Sequence, residues 1–281
     1  MQITPATKIV GLIGHPVAHS LSPLLHNSLY KSLGLDMVYH AFDIVPSQVE
    51  AAINGFLALG FLGFNITVPY KESVYSLLDY TDMEAQIIGA VNTVKIENGK
   101  MIGYNTDGQG FISSLKNSGF SFKGKNVVIL GAGGAARAVG VYTAKEEPAA
   151  IQIVNRTFHK AERLAEVINY YKGCKTAKAS SEISPNADFI INTTTLGMWP
   201  NIKNNPIKGF KLANHTVVCD IVYNPRQTAM LRYAKEQGCR TCDGIGMLIG
   251  QGLRAVEIWL GYPLPRYSWQ YMSETADRIE N

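Results

Sequence analysis

Residues 127–137 read VVILGAGGAAR, and the parsing of this run decides the fold. Val127–Leu130 is a short, unbroken apolar run that stops at Gly131, the pattern of a strand buried on both faces. Small and apolar residues then continue from Ala135 to Ala144, long enough for a helix. The stretch from Val127 to Ala144 has about the length of a membrane span. It contains Arg137 and the glycines Gly131, Gly133, Gly134 and Gly140, which fits strand, turn and helix instead.

The turn carries G-x-G-x-x-[GA] at Gly131, Gly133 and Ala136, with Ala132, Gly134 and Ala135 between them. Behind a strand and ahead of a helix, that pattern predicts dinucleotide binding. The first glycine permits the tight turn, and the second lets backbone approach a pyrophosphate. The last small residue packs helix on strand, and the helix N-terminus faces the anion. A glycine-rich turn that binds nothing would look the same in isolation. The next predicted strand, Ile151–Val154, ends in Asn155-Arg156-Thr157. An acid at this place would accept from ribose hydroxyls, and none is present. Arg156 instead offers a planar, permanent cation for a 2′-phosphate, with Thr157 and Lys160 nearby, so the cofactor reads as NADP rather than NAD. Asn192-Thr-Thr194-Thr195-Leu-Gly197 ends another buried strand; its hydroxyls either line the nicotinamide end or cap a helix.

The whole chain repeats this alternation of strand and helix. At 281 residues, with 46% hydrophobic and 17% charged, it is globular and long enough for two domains. A net charge of +4 without a block of like charges excludes a nucleic-acid arm. No signal or membrane segment is read. Cys239-x-x-Cys242 has no second pair to complete a zinc site, so Cys174, Cys219, Cys239 and Cys242 read as free cytosolic thiols. His15, His19 and His26 are spaced poorly for a metal, because Pro16 interrupts them.

In the N-terminal half, polar residues punctuate the apolar runs. Ser20-Leu-Ser22-Pro23 follows the strand Lys8–Gly14, and Ser22 either caps the helix to Leu33 or binds a ligand. Asn65-Ile-Thr67-Val-Pro69-Tyr-Lys71 spans a strand end and a helix predicted to open at Pro69. Asn92 and Thr93 open a hairpin whose turn is Asn98-Gly99. Asn105-Thr106-Asp107-Gly108 closes it, with Asp107 as ligand or helix cap. Gly246–Gly261 reads as the last helix. Hydroxyl, amide, Lys and Asp groups at strand ends suit a small polyhydroxylated acid.

The ordered set of Ser20-x-Ser22-Pro23, Asn65-x-Thr67-x-Pro69-x-Lys71, Gly89-Ala-Val-Asn92-Thr93, Asn105-Thr106-Asp107-Gly108, the Gly131 loop and Asn155-Arg156-Thr157 resembles shikimate dehydrogenase. Asp220-x-Val222-Tyr223-Asn224-Pro225 and Gly244-x-Gly246-Met247-Leu248-x-x-Gln251 extend the resemblance to nearly the whole chain. It implies an α/β protein of two domains. Residues 1–107 and 248–281 would form an N-terminal α/β substrate domain, and 108–247 a Rossmann-type, doubly wound dinucleotide-binding domain. It implies reversible, NADP-dependent and metal-independent interconversion of 3-dehydroshikimate and shikimate, in aromatic amino-acid biosynthesis. Lys71 and Asp107 would be the catalytic pair. Ser20, Ser22, Asn65, Thr67, Asn92, Tyr223 and Gln251 would hold substrate beside them. Ile221, Gly244 and Met247 would join Thr194, Thr195 and the Gly131 loop on the cofactor. A cytoplasmic monomer or homodimer is expected, acting on a small molecule.

Three competitors remain. A quinate-using, NAD-preferring relative would carry an acid at position 156 and often Thr at 22. A non-catalytic NADP-binding regulator would be expected to lack Lys71 or Asp107. A folate-type dehydrogenase would not explain Ser20 and Ser22 together with Gln251. The Asn- and Lys-rich stretch Trp199–Lys211 matches no motif.

Overall fold

A computed structural model describes residues 3–173 and 175–280; Cys174 lies outside the described residues. The chain divides into two compact units, Met1–Thr106 with Ile249–Asn281, and Asp107–Leu248.

The first unit contains β1 (Lys8–Gly14), α1 (Ser22–Ser32), β2 (Met37–Asp43), α2 (Val49–Ala58), β3 (Gly63–Ile66), β4 (Tyr80–Thr81), α3 (Met83–Ile88), β5 (Thr93–Glu97) and β6 (Lys100–Tyr104). Its sheet runs β2-β1-β3-β5-β6-β4. The pairs around β1 are parallel, and β3-β5 and β5-β6 are antiparallel. Asn98 and Gly99 hold positive φ of 52° and 71° between β5 and β6, the turn that an Asn-Gly hairpin predicts. Asp82 caps α3 by accepting from the Ala85 N–H at 2.7 Å.

The second unit contains α4 (Asp107–Asn117), β7 (Asn126–Leu130), α5 (Gly134–Lys145), β8 (Ala150–Val154), α6 (Phe158–Lys172), β9 (Ala177–Ser180), β10 (Phe189–Asn192), β11 (Val217–Asp220), α7 (Ala229–Glu236) and β12 (Arg240–Cys242). Every strand pair is parallel, in the order β12-β11-β10-β7-β8-β9. Numbered within the unit this is 3-2-1-4-5-6, the doubly wound order with its switch point between β7 and β10. Val128, Leu130, Ile190 and Val218 face a cluster with Met230, Leu231 and Ala234 of α7. The irregular crossover from β10 to β11 adds Ile207 and Leu212 to that cluster. On α5, a Cβ at Gly140 would meet Ile168 of α6 at 2.7 Å, so glycine sets the closeness of the two helices.

The chain then enters α8 (Ile245–Leu260) and α9 (Ser268–Glu280), so Gly246–Gly261 does not hold the last helix. The first unit is completed by these residues. Trp259 Nε1 donates to the Val94 carbonyl at 2.9 Å, and a Cβ on Gly63 would meet that indole nitrogen at 2.4 Å. The Tyr271 and Ser28 hydroxyls lie 3.2 Å apart between α9 and α1.

Two local expectations fail. No α-helix opens at Pro69; a turn leads to a 3-10 helix over Ser73–Leu77. Tyr70 is buried with its hydroxyl donating to the Ile44 carbonyl, and Val74 is buried in the same cluster. Core packing of these two side chains takes precedence over local helix propensity. Ser22 does not cap α1: it is the first helical residue, Leu21 stands at the cap, and the Ser20 hydroxyl accepts from the Ser22 N–H at 3.2 Å.

Candidate active site

In the first unit, the register of four strands gathers the polar residues at one edge of the sheet. Ile13 pairs with Ile66, Asn65 with Thr93, and Thr93 with Tyr104. The C-terminal ends of β1, β3 and β6 therefore meet the start of β5. Thr67 donates its N–H to Ile13, and His15 donates its own to Val68. A Cβ on Gly14 would meet the Thr67 methyl at 2.3 Å, so glycine makes room for that side chain. The loop to Ser20 and Ser22 leaves from this point. His15 pairs with Asp43, and His26 is stacked on Tyr39 at 4.2 Å. Both histidines are thus engaged apart, and no group of three or more His, Cys, Asp or Glu among the described residues could hold a metal ion.

Asn92 is the centre of this edge and is almost fully buried. Its Oδ1 accepts from the Thr106 N–H at 2.8 Å and from the Thr93 hydroxyl at 3.0 Å, while Nδ2 donates to Thr106 Oγ1 at 3.0 Å. Asn65 Nδ2 donates to the Asn92 carbonyl at 3.1 Å and to Thr93 Oγ1 at 2.9 Å. Asn65 Oδ1 accepts from Tyr39. Val91, just before Asn92, donates to the Lys71 carbonyl at 2.8 Å. The backbone of Lys71 and the residue preceding Asp107 are therefore both anchored to the 91–92 segment. Asp107 is itself buried and is the first residue of α4. Gln251 is half-buried on α8, where the neighbouring Gly252 would bring a Cβ to 3.1 Å from His26 Nε2.

In the second unit, Gly131 has φ of +115° and donates to the Val154 carbonyl at 2.8 Å, so the turn stays in the β8 ladder. A Cβ there would meet Thr193 Oγ1 at 2.7 Å. Gly133 is different: a Cβ on it would meet nothing within 4 Å, and it stands at the cap of α5 with no side-chain cap. Protein packing therefore does not explain Gly133, and the open space at this uncapped helix start would let a pyrophosphate approach the backbone. Ala136 is fully buried under the turn. At the end of β8, Arg156 and Lys160 are exposed, and Asn155 Nδ2 donates to the Thr157 carbonyl at 2.9 Å. These residues fit a dinucleotide with a 2′-phosphate.

No helix starts at Thr193–Thr195, so capping is not their role. Thr193 Oγ1 donates to the Leu130 carbonyl at 2.7 Å, and Thr194 is bound to Asn192 by its N–H at 3.0 Å and its hydroxyl at 2.6 Å. Ile221 donates to the Asn192 carbonyl at 3.1 Å. Gly244 lies against Ile221: a Cβ there would meet the Ile221 oxygen at 2.3 Å. Tyr223 is half-buried, and Met247 is buried on α8.

Sequence reasoning assigned no role to Tyr39, Thr93, Thr106, Asn192, Asp220 or Thr228. Asn192 and Asp220 did carry a signal, because an amide and an acid each ended a buried strand. Asp220 is buried among neutral donors, and burial pushes its carboxyl up to about 6, against hydrogen bonds from Val222, Thr228 and Asn192.

With this geometry in place, comparison with known proteins gives a consistent result. Residues 12–94 match the family model of the shikimate dehydrogenase substrate binding domain, and residues 114–232 match that of shikimate / quinate 5-dehydrogenase. The NADP(+) shikimate dehydrogenase of Methanocaldococcus jannaschii is 48% identical over 92% of this chain and 93% of its own. A crystal structure of a shikimate dehydrogenase in complex with NADP+ superposes with a TM-score of 0.92 at 44% identity, covering 100% of this chain and 98% of that one. The 5-ketofructose reductase of Gluconobacter sp. strain CHM43 shares the fold at TM-score 0.85 and 38% identity, over 98% of this chain and 100% of its own.

Proposed function

The chain belongs to the shikimate dehydrogenase family, and from that premise we propose that it catalyses the reversible, NADPH-dependent reduction of 3-dehydroshikimate to shikimate. The enzyme is an oxidoreductase of the shikimate pathway, which leads to chorismate and the aromatic amino acids. What most supports the reading in the structure is the Asn92 network, which anchors the backbone of Lys71 and of the residue before Asp107 at one polar edge.

The dinucleotide, when bound, supplies the hydride. Gly131–Ala135 approach its pyrophosphate, with Asn155, Arg156, Thr157 and Lys160 at its adenosine end. Thr194, Thr195, Ile221, Gly244 and Met247 take the other end. Reduction of a ketone leaves a developing alkoxide, which needs a proton donor in the transition state. Lys71 is that donor, and Asp107 orients it and holds its ammonium form. In oxidation Lys71 is the base. Ser20, Ser22, Thr67, Asn92, Tyr223 and Gln251 bind the ring hydroxyls and carboxylate, and Asn65 supports them. No step calls for a metal. No helix among the described residues is long and apolar enough to cross a membrane. The buried free thiols of Cys219, Cys239 and Cys242 suit a reducing compartment, and the cytoplasm is the location we assign. The protein acts as a monomer or homodimer on its small-molecule substrate.

The test is an absorbance assay for reduced cofactor with purified protein, crossing shikimate and quinate with NADP+ and NAD+. Shikimate with NADP+ should lead clearly. Quinate with NAD+ in front would overturn the reading of Ser22 and Arg156. Silence in all four, with NADPH still bound, would mean a regulator.

A further inference from the structure

We propose that Asp220 is a positioning residue for the dinucleotide: its buried carboxylate ties together the roots of the two loops that carry Thr194, Thr195 and Ile221. The inference rests on the NADP reading above and goes beyond it, because Asp220 itself touches no ligand in that reading.

Asn192 and Asp220 are the last residues of β10 and β11 and pair in register. Asp220 is 1% exposed. Its Oδ1 accepts from Asn192 Nδ2 at 2.9 Å and from the Val222 N–H at 3.0 Å, and Oδ2 accepts from the Thr228 hydroxyl at 2.8 Å. The ties continue outward. Asn192 Oδ1 receives the N–H and hydroxyl of Thr194, and Nδ2 also donates to the Leu196 carbonyl at 3.1 Å. Thr228 caps α7 by accepting from the Leu231 N–H at 3.3 Å. One side chain thus fixes the start of the 193–197 loop and both ends of the 221–228 loop.

No Lys or Arg among the described residues pairs with this carboxylate, and Arg226 is bound to Asp243 instead. A buried carboxylate without a cation is costly, and a core needing only bulk would use an apolar residue. The carboxylate has what an apolar residue lacks: acceptor sites for donors from two separate loops. In a doubly wound sheet these loops leave the carboxyl ends of the strands, where the ligand lies. They flank β7 on the side opposite β8 and Arg156. The effect of Asp220 should therefore fall on the nicotinamide end of the cofactor and spare the adenosine end.

This difference can be read by fluorescence titration of NADPH beside calorimetric titration of 2′,5′-ADP, which fills only the adenosine end. Asp220→Ala should raise the NADPH Kd about tenfold and leave that of 2′,5′-ADP within about twofold. Asp220→Asn keeps an oxygen for Asn192 and Val222 and turns an N–H to Thr228 Oγ1. It should bring the NADPH Kd back to within about threefold of the parent. If Asp220→Ala does not fold, Thr228→Val cuts the Oδ2 tie together with the α7 cap, keeps both Oδ1 ties, and should raise the NADPH Kd about threefold, again sparing 2′,5′-ADP. Equal weakening of both ligands, or unchanged NADPH affinity in folded Asp220→Ala or Thr228→Val protein, overturns the proposal. A parent protein that binds neither ligand overturns the NADP reading itself.

Discussion

The Tyr39 hydroxyl donates to Asn65 Oδ1 at 2.9 Å, and this bond leaves Asn65 little to offer a ligand. Both amide hydrogens of Asn65 are already used, on the Asn92 carbonyl and Thr93 Oγ1. Only one lone pair on Oδ1 is left to accept from a substrate hydroxyl. Tyr39→Phe removes one of the three bonds that fix the Asn65 amide and should raise the shikimate KM about fivefold, an effect of the size of one hydrogen bond. Turnover and NADP+ affinity should stay near the parent values. A fall in kcat with unchanged KM would show that Tyr39 acts on the chemistry instead.

Lys71→Ala removes the proposed proton donor. Steady-state kinetics should show kcat lower by about 10²–10⁴-fold, the usual weight of general acid catalysis, with a much smaller rise in shikimate KM. NADPH affinity by fluorescence should not move. Unchanged turnover would remove Lys71 from the mechanism.

Arg156 is exposed at the end of β8. Arg156→Ala should raise the NADP+ KM about tenfold or more, by loss of a charged contact to the 2′-phosphate. The NAD+ KM should be nearly unaffected, because that cofactor has no such phosphate. Equal effects on both would place Arg156 elsewhere.

His26 gives the first unit a pH dependence of known sign. Its ring is stacked on Tyr39, its Nδ1 lies 3.2 Å from the Tyr30 hydroxyl, and burial lowers its pKa from 6.5 to about 3. The unfolded chain takes a proton as pH falls through about 6.5, while the folded chain resists until near 3. Stability is thus full above the ordinary histidine range and is lost on acidification, by at most about 5 kcal/mol. His26→Phe should flatten urea midpoints between pH 7 and 4 relative to the parent. Parallel profiles would show that other groups dominate.

Gly63 and Trp259 form a close contact that tolerates little change. Gly63→Ala places a methyl on the indole and on the Val94 carbonyl, and should lower the melting temperature strongly. Trp259→Phe loses the bond to Val94 and should cost about 1–3 kcal/mol in chemical denaturation. A Gly63→Ala variant as stable as the parent would mean that α8 shifts freely.

The inner strands of the second unit were legible because Val127–Leu130, Phe189–Ile191 and Val217–Cys219 are uninterrupted apolar runs, whereas its edge strand Ala177–Ser180 was not legible at all. The Asn98-Gly99 hairpin was legible for an equally local reason. Edges were not. Short strands such as Tyr80–Thr81 and Arg240–Cys242 have no periodicity of their own and exist because a neighbour offers a ladder. Pro69 and Ser22 misled because each is a good helix-start residue locally, while the packing of Tyr70 and the entry of the chain at Leu21 are tertiary facts. Among the site residues, the motif members could be named from sequence. Tyr39 could not, and the parts of Thr93 and Thr106 within their motifs could not, since these lie in hydrogen bonds between segments separated in the chain.

The first unit is built from two separated pieces of chain, and this has a consequence for synthesis. Residues 1–106 are made before 107–248, yet their sheet lacks Trp259 and α1 lacks α9 until residues 249–280 follow. The 107–248 unit is continuous, so it can be finished while the earlier segment still waits for its closing helices. A released chain truncated after residue 248 should therefore carry a protease-resistant 107–248 unit and a protease-sensitive 1–106 segment.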